Sequence, residues 1–374
     1  MPLVLLFALF LFSFKILEVP PGIETDEGSI AHNAALISKT LRDQNKRFLP
    51  AFILSSDGMD WKQPVLIYIS TVFFKIFGTS LLVFKSVNIT LTLLSAFLMW
   101  LLLKNLFPEK FALMGLIVFI TTPMVIISSR LGNEAIHPVL FTTAWILSIS
   151  YFRKSSNRLF LFFAALSLGI GFYSYKGMRL IIPPLAISTI IYIFHRNLKS
   201  PRELKKFILD VSVFILSILP FFAVIPLFEL KYPGSVLDRR NIGLESYQHM
   251  AYYWLSNLEL SFLFVKGDIG KIFSVGLYGA FLLGTLPLFL LGIKKAVANI
   301  NFFLFVFICY SITPILFGLA GSLGYGHRLE SQIPLFVILT TLGIQTLGTG
   351  KIVSKTALLI IGIFFFLNFS GFFL

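Results

Sequence analysis

SLLVFKSVNITLTLLSAFLMWLLL, residues 80–103, decides the class of this protein. A helix needs about 20 mostly apolar residues to cross the hydrocarbon of a bilayer, and this run supplies them. Its Asn88-Ile89-Thr90 matches a glycosylation sequon, but it falls inside the run, so the match is fortuitous. Comparable runs occupy 2–19, 110–128, 136–152, 159–174, 180–195, 208–228, 273–293, 301–320, 332–349 and 356–374, giving eleven expected spans. Residues 65–77 are apolar but too short, and read as a re-entrant or interfacial helix. Residues 1–14 have neither a basic n-region nor a small-residue cleavage site, so they read as a retained span.

Composition agrees. Of 374 residues, 57% are hydrophobic, 43 are Phe and only 13% are charged. Mean hydropathy is +0.88. No aqueous core of this size hides so much apolar surface, which excludes a soluble enzyme, a disordered chain and a secreted disulfide scaffold. A single cysteine, Cys309, excludes an internal disulfide and a cysteine-based metal site. The +14 net charge does not call for a nucleic-acid partner, because Lys and Arg in such chains first report topology.

With the N-terminus in the cytoplasm, the inner connections are 104–110, 153–158, 195–206, 294–295 and 351–355. They are rich in Lys and Arg and hold only the acids Glu109 and Glu203, or three acids with helix-edge Asp210 included, as the positive-inside rule requires. Two long loops, about 20–79 and 229–272, then face outward with short turns at 129–135, 175–179 and 321–331. No repeat, linker or separate soluble domain interrupts 1–374. The expected architecture is an all-α polytopic membrane protein with juxtamembrane helices in its large first outer loop.

The polar residues of the outer side carry the chemistry. Pro20-Pro21-Gly22 ends the first helix, and Asp26 and Glu27 follow at the start of a helical pattern. Ile30, Ala34, Ile37 and Leu41 share one face of it, which suits a helix lying on the membrane surface. Asp26 and Glu27 suit helix capping, which the dipole favours, and equally a general base at the membrane boundary. Residues 57–64 read as a turn containing Asp60, with Trp61 as an interfacial anchor. Arg130 and Glu134 stand four apart, suiting a helix-end ion pair or, for Arg130, anion binding. Tyr173, Tyr175, Lys176 and Arg179 suit an aromatic belt with snorkelling cations, or a grip on a lipid phosphate. His327-Arg328 lies on the same side. In the second loop, Asp238-Arg239-Arg240-Asn241, the aromatic stretch 247–254, Glu259 and Asp268 suggest an interfacial helix for acceptor recognition. Gly169-x-Gly171 lacks the strand–turn–helix setting of a dinucleotide fingerprint.

In order along the chain, Pro21-Gly22, Asp26-Glu27-Gly28, Ala31, Ala35, Pro64, Tyr68 and Phe77-Gly78-Thr79-Ser80 resemble the GT-C membrane glycosyltransferases. More narrowly they resemble glycosyltransferase family 39, which includes protein O-mannosyltransferases and aminoarabinose lipid A transferases. Ser129-Arg130 with Glu134, Tyr173-Ser174-Tyr175 with Arg179 and Pro183, and His327-Arg328 with Ile333-Pro334-Leu335 extend the likeness over 15–345. The resemblance implies inverting transfer of a sugar from a polyprenyl-phosphate donor to an extracytoplasmic hydroxyl on a lipid, glycan or protein. It makes Asp26 the base and Glu27 its catalytic partner. Arg130, Lys176, Arg179 and Arg328 become candidates for the donor phosphate, and Tyr175, Glu134, His327 and Asp60 for substrate binding. No cofactor is expected; a divalent ion would have Asp26, Glu27 and His327 to hold it. The chain ends at Leu374 directly after a span, so acceptor binding is expected to be reduced or supplied by another protein. The competing reading is a lipid or solute transporter or flippase, and within the same fold an oligosaccharide polymerase or ligase. Polar clusters at one interface, without matching halves, favour surface chemistry over transport.

Overall fold

The structure is a computed structural model that describes residues 1–55, 58, 60–197, 204–236, 246–267, 278–298, 301–320 and 326–373. Asp57, Glu203, Asp238 to Asn241, Asp268, Gly324, Tyr325 and the first part of the expected span 273–293 lie outside the described residues.

The chain is all-helical apart from one two-stranded hairpin among the described residues. In order the elements are α1 (Pro2–Ser13), α2 (Thr25–Thr40), β1 (Ile53–Leu54), β2 (Trp61–Lys62), α3 (Pro64–Phe77), α4 (Leu81–Leu106), α5 (Glu109–Ile120), α6 (Pro123–Arg130), α7 (His137–Ser155), α8 (Leu159–Phe172), α9 (Met178–Asn197), α10 (Leu204–Lys231), α11 (Tyr247–Ser256), α12 (Leu286–Val297), α13 (Phe302–Ile312), α14 (Ile333–Gly348) and α15 (Ile352–Phe373). Short 3-10 turns precede α7 (Glu134–Ile136) and α14 (Gly326–Gln332).

Among the described residues seven helices are long and apolar enough to cross a membrane, eight if a bent pair counts as one span. Length and composition therefore do not reach the eleven crossings expected. The run 110–128 is that pair, α5 and α6, bent by 54°. Pro123 lacks the N–H that would continue the ladder, so the chain breaks there and α6 starts afresh. The runs 2–19 and 159–174 give α1 and α8, only 12 and 14 residues long. Residues 65–77 fall in α3, whose 14 residues start on Pro64 and stop at Gly78, where φ is 83°.

The interior is one apolar cluster through the bundle, centred on α4, α7 and α14. Where α12 crosses α14 the backbones touch. A Cβ on Gly292 would lie 1.8 Å from the Leu339 carbonyl oxygen, and one on Gly343 would lie 1.9 Å from that of Leu288. Only glycine permits so close a crossing. Helices α10 and α15 bury few of their residues within the protein, as lipid-facing helices do.

A second, smaller cluster lies in the long segment between α1 and α4: Ile30, Ala34 and Ile37 of α2, Leu66, Ile67 and Phe74 of α3, with Phe84 and Val87 of α4. The apolar face of α2 thus packs on protein rather than on the membrane surface. Leu41 leaves that face, because it is the left-handed C-cap (φ 56°) and is exposed.

Candidate active site

Helix α2 begins after Glu24, with Asp26 and Glu27 in its first turn. The hairpin β1–β2 is placed beside it by amide side chains. Asn33 Nδ2 donates to Gln44 Oε1 (3.1 Å), and Gln44 Nε2 donates to the Leu54 carbonyl (2.9 Å). The register pairs Ile53 with Lys62 and Leu54 with Trp61. This delivers Lys62 to the start of α2.

A chain of alternating charges results. Lys62 Nζ lies 2.5 Å from Asp26 Oδ1 and 2.9 Å from Asp60 Oδ2, and Lys176 Nζ lies 3.2 Å from Asp60 Oδ1. The Val65 N–H donates to the Tyr173 carbonyl (3.3 Å), tying the start of α3 to the turn that carries Lys176. The Lys62 side chain is 9% exposed, whereas that of Asp26 is 59% exposed. Asp26 is therefore fixed from behind by a buried cation and open in front. Burial alone would lower the pKa of Lys62, but its hydrogen bond to Asp26 and the Asp60 charge hold it above the ordinary lysine value. Burial would raise Asp60, yet Lys62 and Lys176 outweigh it and hold its carboxyl below the usual range. Glu24 is raised, first by burial and then by the charges of Asp26 and Glu27.

Glu27 is buried and both of its oxygens accept backbone N–H groups, Oε1 from Gly132 (2.5 Å) and Oε2 from Glu24 (3.2 Å). Glu134 Oε1 accepts the Gln63 N–H (2.9 Å). Of the two readings of Arg130 and Glu134, the helix-end ion pair does not form, because α6 ends at Arg130 and the chain turns away in a new direction. Arg130 instead donates to the Phe14 carbonyl. Buried Lys85, in the second turn of α4, donates to the carbonyls of Ile16 (3.3 Å) and Pro20 (3.1 Å). Two cations thus satisfy the chain leaving α1, whose carbonyls have no helix to continue into.

Arg179 donates to the Val236 carbonyl and lies over the rings of Phe52 and Phe172. Tyr175 is half-buried against the main core. Trp61 is half-buried between Phe228, Tyr232 and the Arg47 guanidinium, not standing free as an anchor. Arg328 stands half-buried in the turn before α14, whose Glu330 accepts from Ser128 Oγ of α6. His327 falls in that turn, and its side chain lies outside the described residues. Among the described residues no group of three His, Cys, Asp or Glu is placed to hold a metal ion. Helix α11 docks through Trp254 Nε1, which donates to the Ser311 carbonyl (2.7 Å).

The structure therefore brings Asp26, Asp60 and Lys176 into one constellation and adds Lys62 to it. Lys62 was legible only as part of a polar turn; a lysine two residues before Pro64, which opens α3, was its one signal. Lys85 was better marked, since a cation within a membrane span rarely lacks a purpose.

This is the all-helical fold of the GT-C membrane glycosyltransferases. Residues 62–225 match the family described as dolichyl-phosphate-mannose-protein mannosyltransferase. ArnT from Cupriavidus metallidurans, solved bound to undecaprenyl phosphate, is similar at a TM-score of 0.64 and 14% identity, covering 96% of this chain and 62% of its own. The oligosaccharyltransferase AglB from Archaeoglobus fulgidus, solved with an inhibitory peptide and a dolichol-phosphate, is similar at 0.57 and 12%, covering 99% and 55%. The chain thus spans about three fifths or less of the length of these solved proteins. No curated protein matches the sequence.

Proposed function

We propose that this protein transfers a sugar from a polyprenyl-phosphate donor to an acceptor hydroxyl on the outer face of a cell membrane, with inversion. The observation that carries the reading is Asp26, an exposed carboxylate held by buried Lys62 at the head of α2. Asp26 takes the proton of the acceptor hydroxyl. The oxygen attacks the anomeric carbon opposite the phosphate, a C–O bond forms, and the anomeric C–O(phosphate) bond breaks. Its electron pair leaves with the lipid phosphate, and fixed cations stabilise that charge.

Lys176 is the first candidate for that phosphate, because it already belongs to the charge chain. Arg130, Arg179 and Arg328 are further candidates, and Tyr175, His327 and Asp60 are candidates to line the substrate, whereas Glu134 acts at one remove, its Oε1 accepting the Gln63 N–H. Glu27, whose oxygens are both occupied, acts by holding Asp26 in place. The lipid phosphates bound in the two similar solved proteins, and the family matched by 62–225, support a lipid-linked donor. The N-terminus is assigned to the cytoplasm and the site to the outside by the excess of Lys and Arg in the opposite connections.

The test is purified protein in nanodiscs, incubated with polyprenyl-phosphate sugars and candidate acceptors, with products read by mass spectrometry. Sugar transfer that Asp26→Asn abolishes in a folded protein is the expected result. Solute accumulation in liposomes without any transfer would overturn the reading.

A further inference from the structure

Asp26 and Lys62 have sequence neighbours that do the same thing. Glu27, next to Asp26, accepts the Gly132 N–H at 2.5 Å. Gln63, next to Lys62, donates its own N–H to Glu134 at 2.9 Å. Both bonds end on one four-residue turn, 131–134, between α6 and α7. The turn is itself anchored to α4. Asn88 Nδ2 donates to the carbonyls of Leu131 (2.6 Å) and Asn133 (2.7 Å), and Asn88 Oδ1 lies 3.0 Å from His137 Nε2 at the head of α7. Gly132 fits only because it has no side chain, since a Cβ there would lie 2.2 Å from the Phe84 ring. Glu27, Gln63, Asn88 and His137 are all buried.

We propose that the turn 131–134 is a positioning device for the Asp26–Lys62 pair, with Glu134 and Glu27 as its two bolts and Asn88 as its anchor. Glu134 reaches the pair through Gln63 and does not touch the reacting atoms. The inference rests on the reading of Asp26 as the base. Its physical basis is the long sequence separation of the two partners. The Asp26–Lys62 contact joins residues 36 apart, and Asp26 is largely exposed, so water and thermal motion would separate an unsupported pair. Two carboxyl–amide bonds to one turn, buried at Glu27 and half-buried at Glu134, remove that freedom from both sides.

The substitution that separates positioning from direct action is at Glu134. Gln keeps a carbonyl oxygen to accept the Gln63 N–H, whereas Ala keeps nothing. Two readouts are taken on wild type, Glu134→Gln and Glu134→Ala: transfer kinetics, and acylation of the Lys62 amine by an N-hydroxysuccinimide ester, quantified by peptide mass spectrometry. The denatured chain sets the upper limit of labelling. Glu134→Ala is expected to raise Lys62 labelling several-fold and to lower kcat by up to about 100-fold, with the donor KM little changed. Glu134→Gln is expected to stay near wild type in both. Unchanged Lys62 labelling in Glu134→Ala, or a Gln variant as defective as Ala, would overturn the proposal. If Glu134→Ala does not fold, Gln63→Pro removes the same bond from its donor side, at a position whose φ of −76° suits proline; protected Lys62 in that variant overturns the proposal equally. Labelling is read without turnover. A wild type that transfers no sugar therefore overturns the transferase reading alone, and unchanged labelling overturns the positioning inference alone.

Discussion

Lys62 Nζ lies 2.5 Å from Asp26 Oδ1, although 36 residues separate them in the chain. The contact joins a strand of two residues to the first turn of a helix, and it gives the segment between α1 and α4 its chemical character.

The first prediction concerns that pair. Asp26→Asn removes the proton acceptor and is expected to lower kcat/KM by about 100- to 10,000-fold, the range a positioned base supplies. Lys62→Met leaves the carboxylate but frees it, and a smaller loss is expected, with Lys62→Arg partly restoring the rate. Steady-state assays on detergent-purified variants decide this. Equal turnover by Asp26→Asn and wild type would remove Asp26 from the mechanism.

The second concerns pH. Asp60 is held below the usual carboxylate range, so its contribution to stability is present above the ordinary Asp pKa of about 3.9 and is lost as pH falls through the lower folded value. Lys62 is held above the usual lysine value, so its contribution is full below about 10.4 and is lost as pH rises through the higher folded value. Thermal melting across pH is expected to fall at both ends, and Lys62→Met to flatten both falls. The effect is modest, on the order of 1 kcal/mol or less, because Asp26 and Asp60 face solvent. Parallel curves for the two proteins would show that the charge chain does not hold the loop.

The third tests the helix crossing. Gly292→Ala or Gly343→Ala places a Cβ within 2 Å of a backbone oxygen, which no rotamer can relieve. A cost of about 1–3 kcal/mol is expected. It should appear as a lower melting temperature and a smaller monodisperse fraction. At Gly362, where a Cβ would meet nothing within 4 Å, alanine should be neutral.

The fourth tests the buried cation of α4. Lys85→Met strips the Ile16 and Pro20 carbonyls of their donor and is expected to destabilise by about 1–3 kcal/mol. Hydrogen exchange over 14–24 should rise, since that segment carries the chain from α1 to α2. Unchanged exchange there would show that Lys85 is not its anchor.

Class and location were legible without coordinates. The apolar runs show that the chain is a multispan helical membrane protein, because hydrocarbon leaves a backbone no partner but its own helix. Asp26 and Glu27 were readable as acids at a helix start, and Ile30, Ala34 and Ile37 as one face. Counting spans was less secure. A run of apolar residues does not say where Pro123 will bend it, nor that α8 will stop after 14 residues. The roles of neighbouring residues were illegible for a related reason. Glu27 and Asp26 are adjacent and chemically alike, yet one is 2% exposed with both oxygens bound to N–H groups while the other faces solvent.

Periodicity and composition are properties of short windows, and they sufficed for the helices and the membrane. Partner choice is a property of contacts between distant windows. Arg130 found the Phe14 carbonyl rather than Glu134, Glu134 found the Gln63 N–H, and Lys62 found Asp26. Each follows from where the bundle places a backbone group or an opposite charge that must not be left unpaired, and only the packed helices decide that.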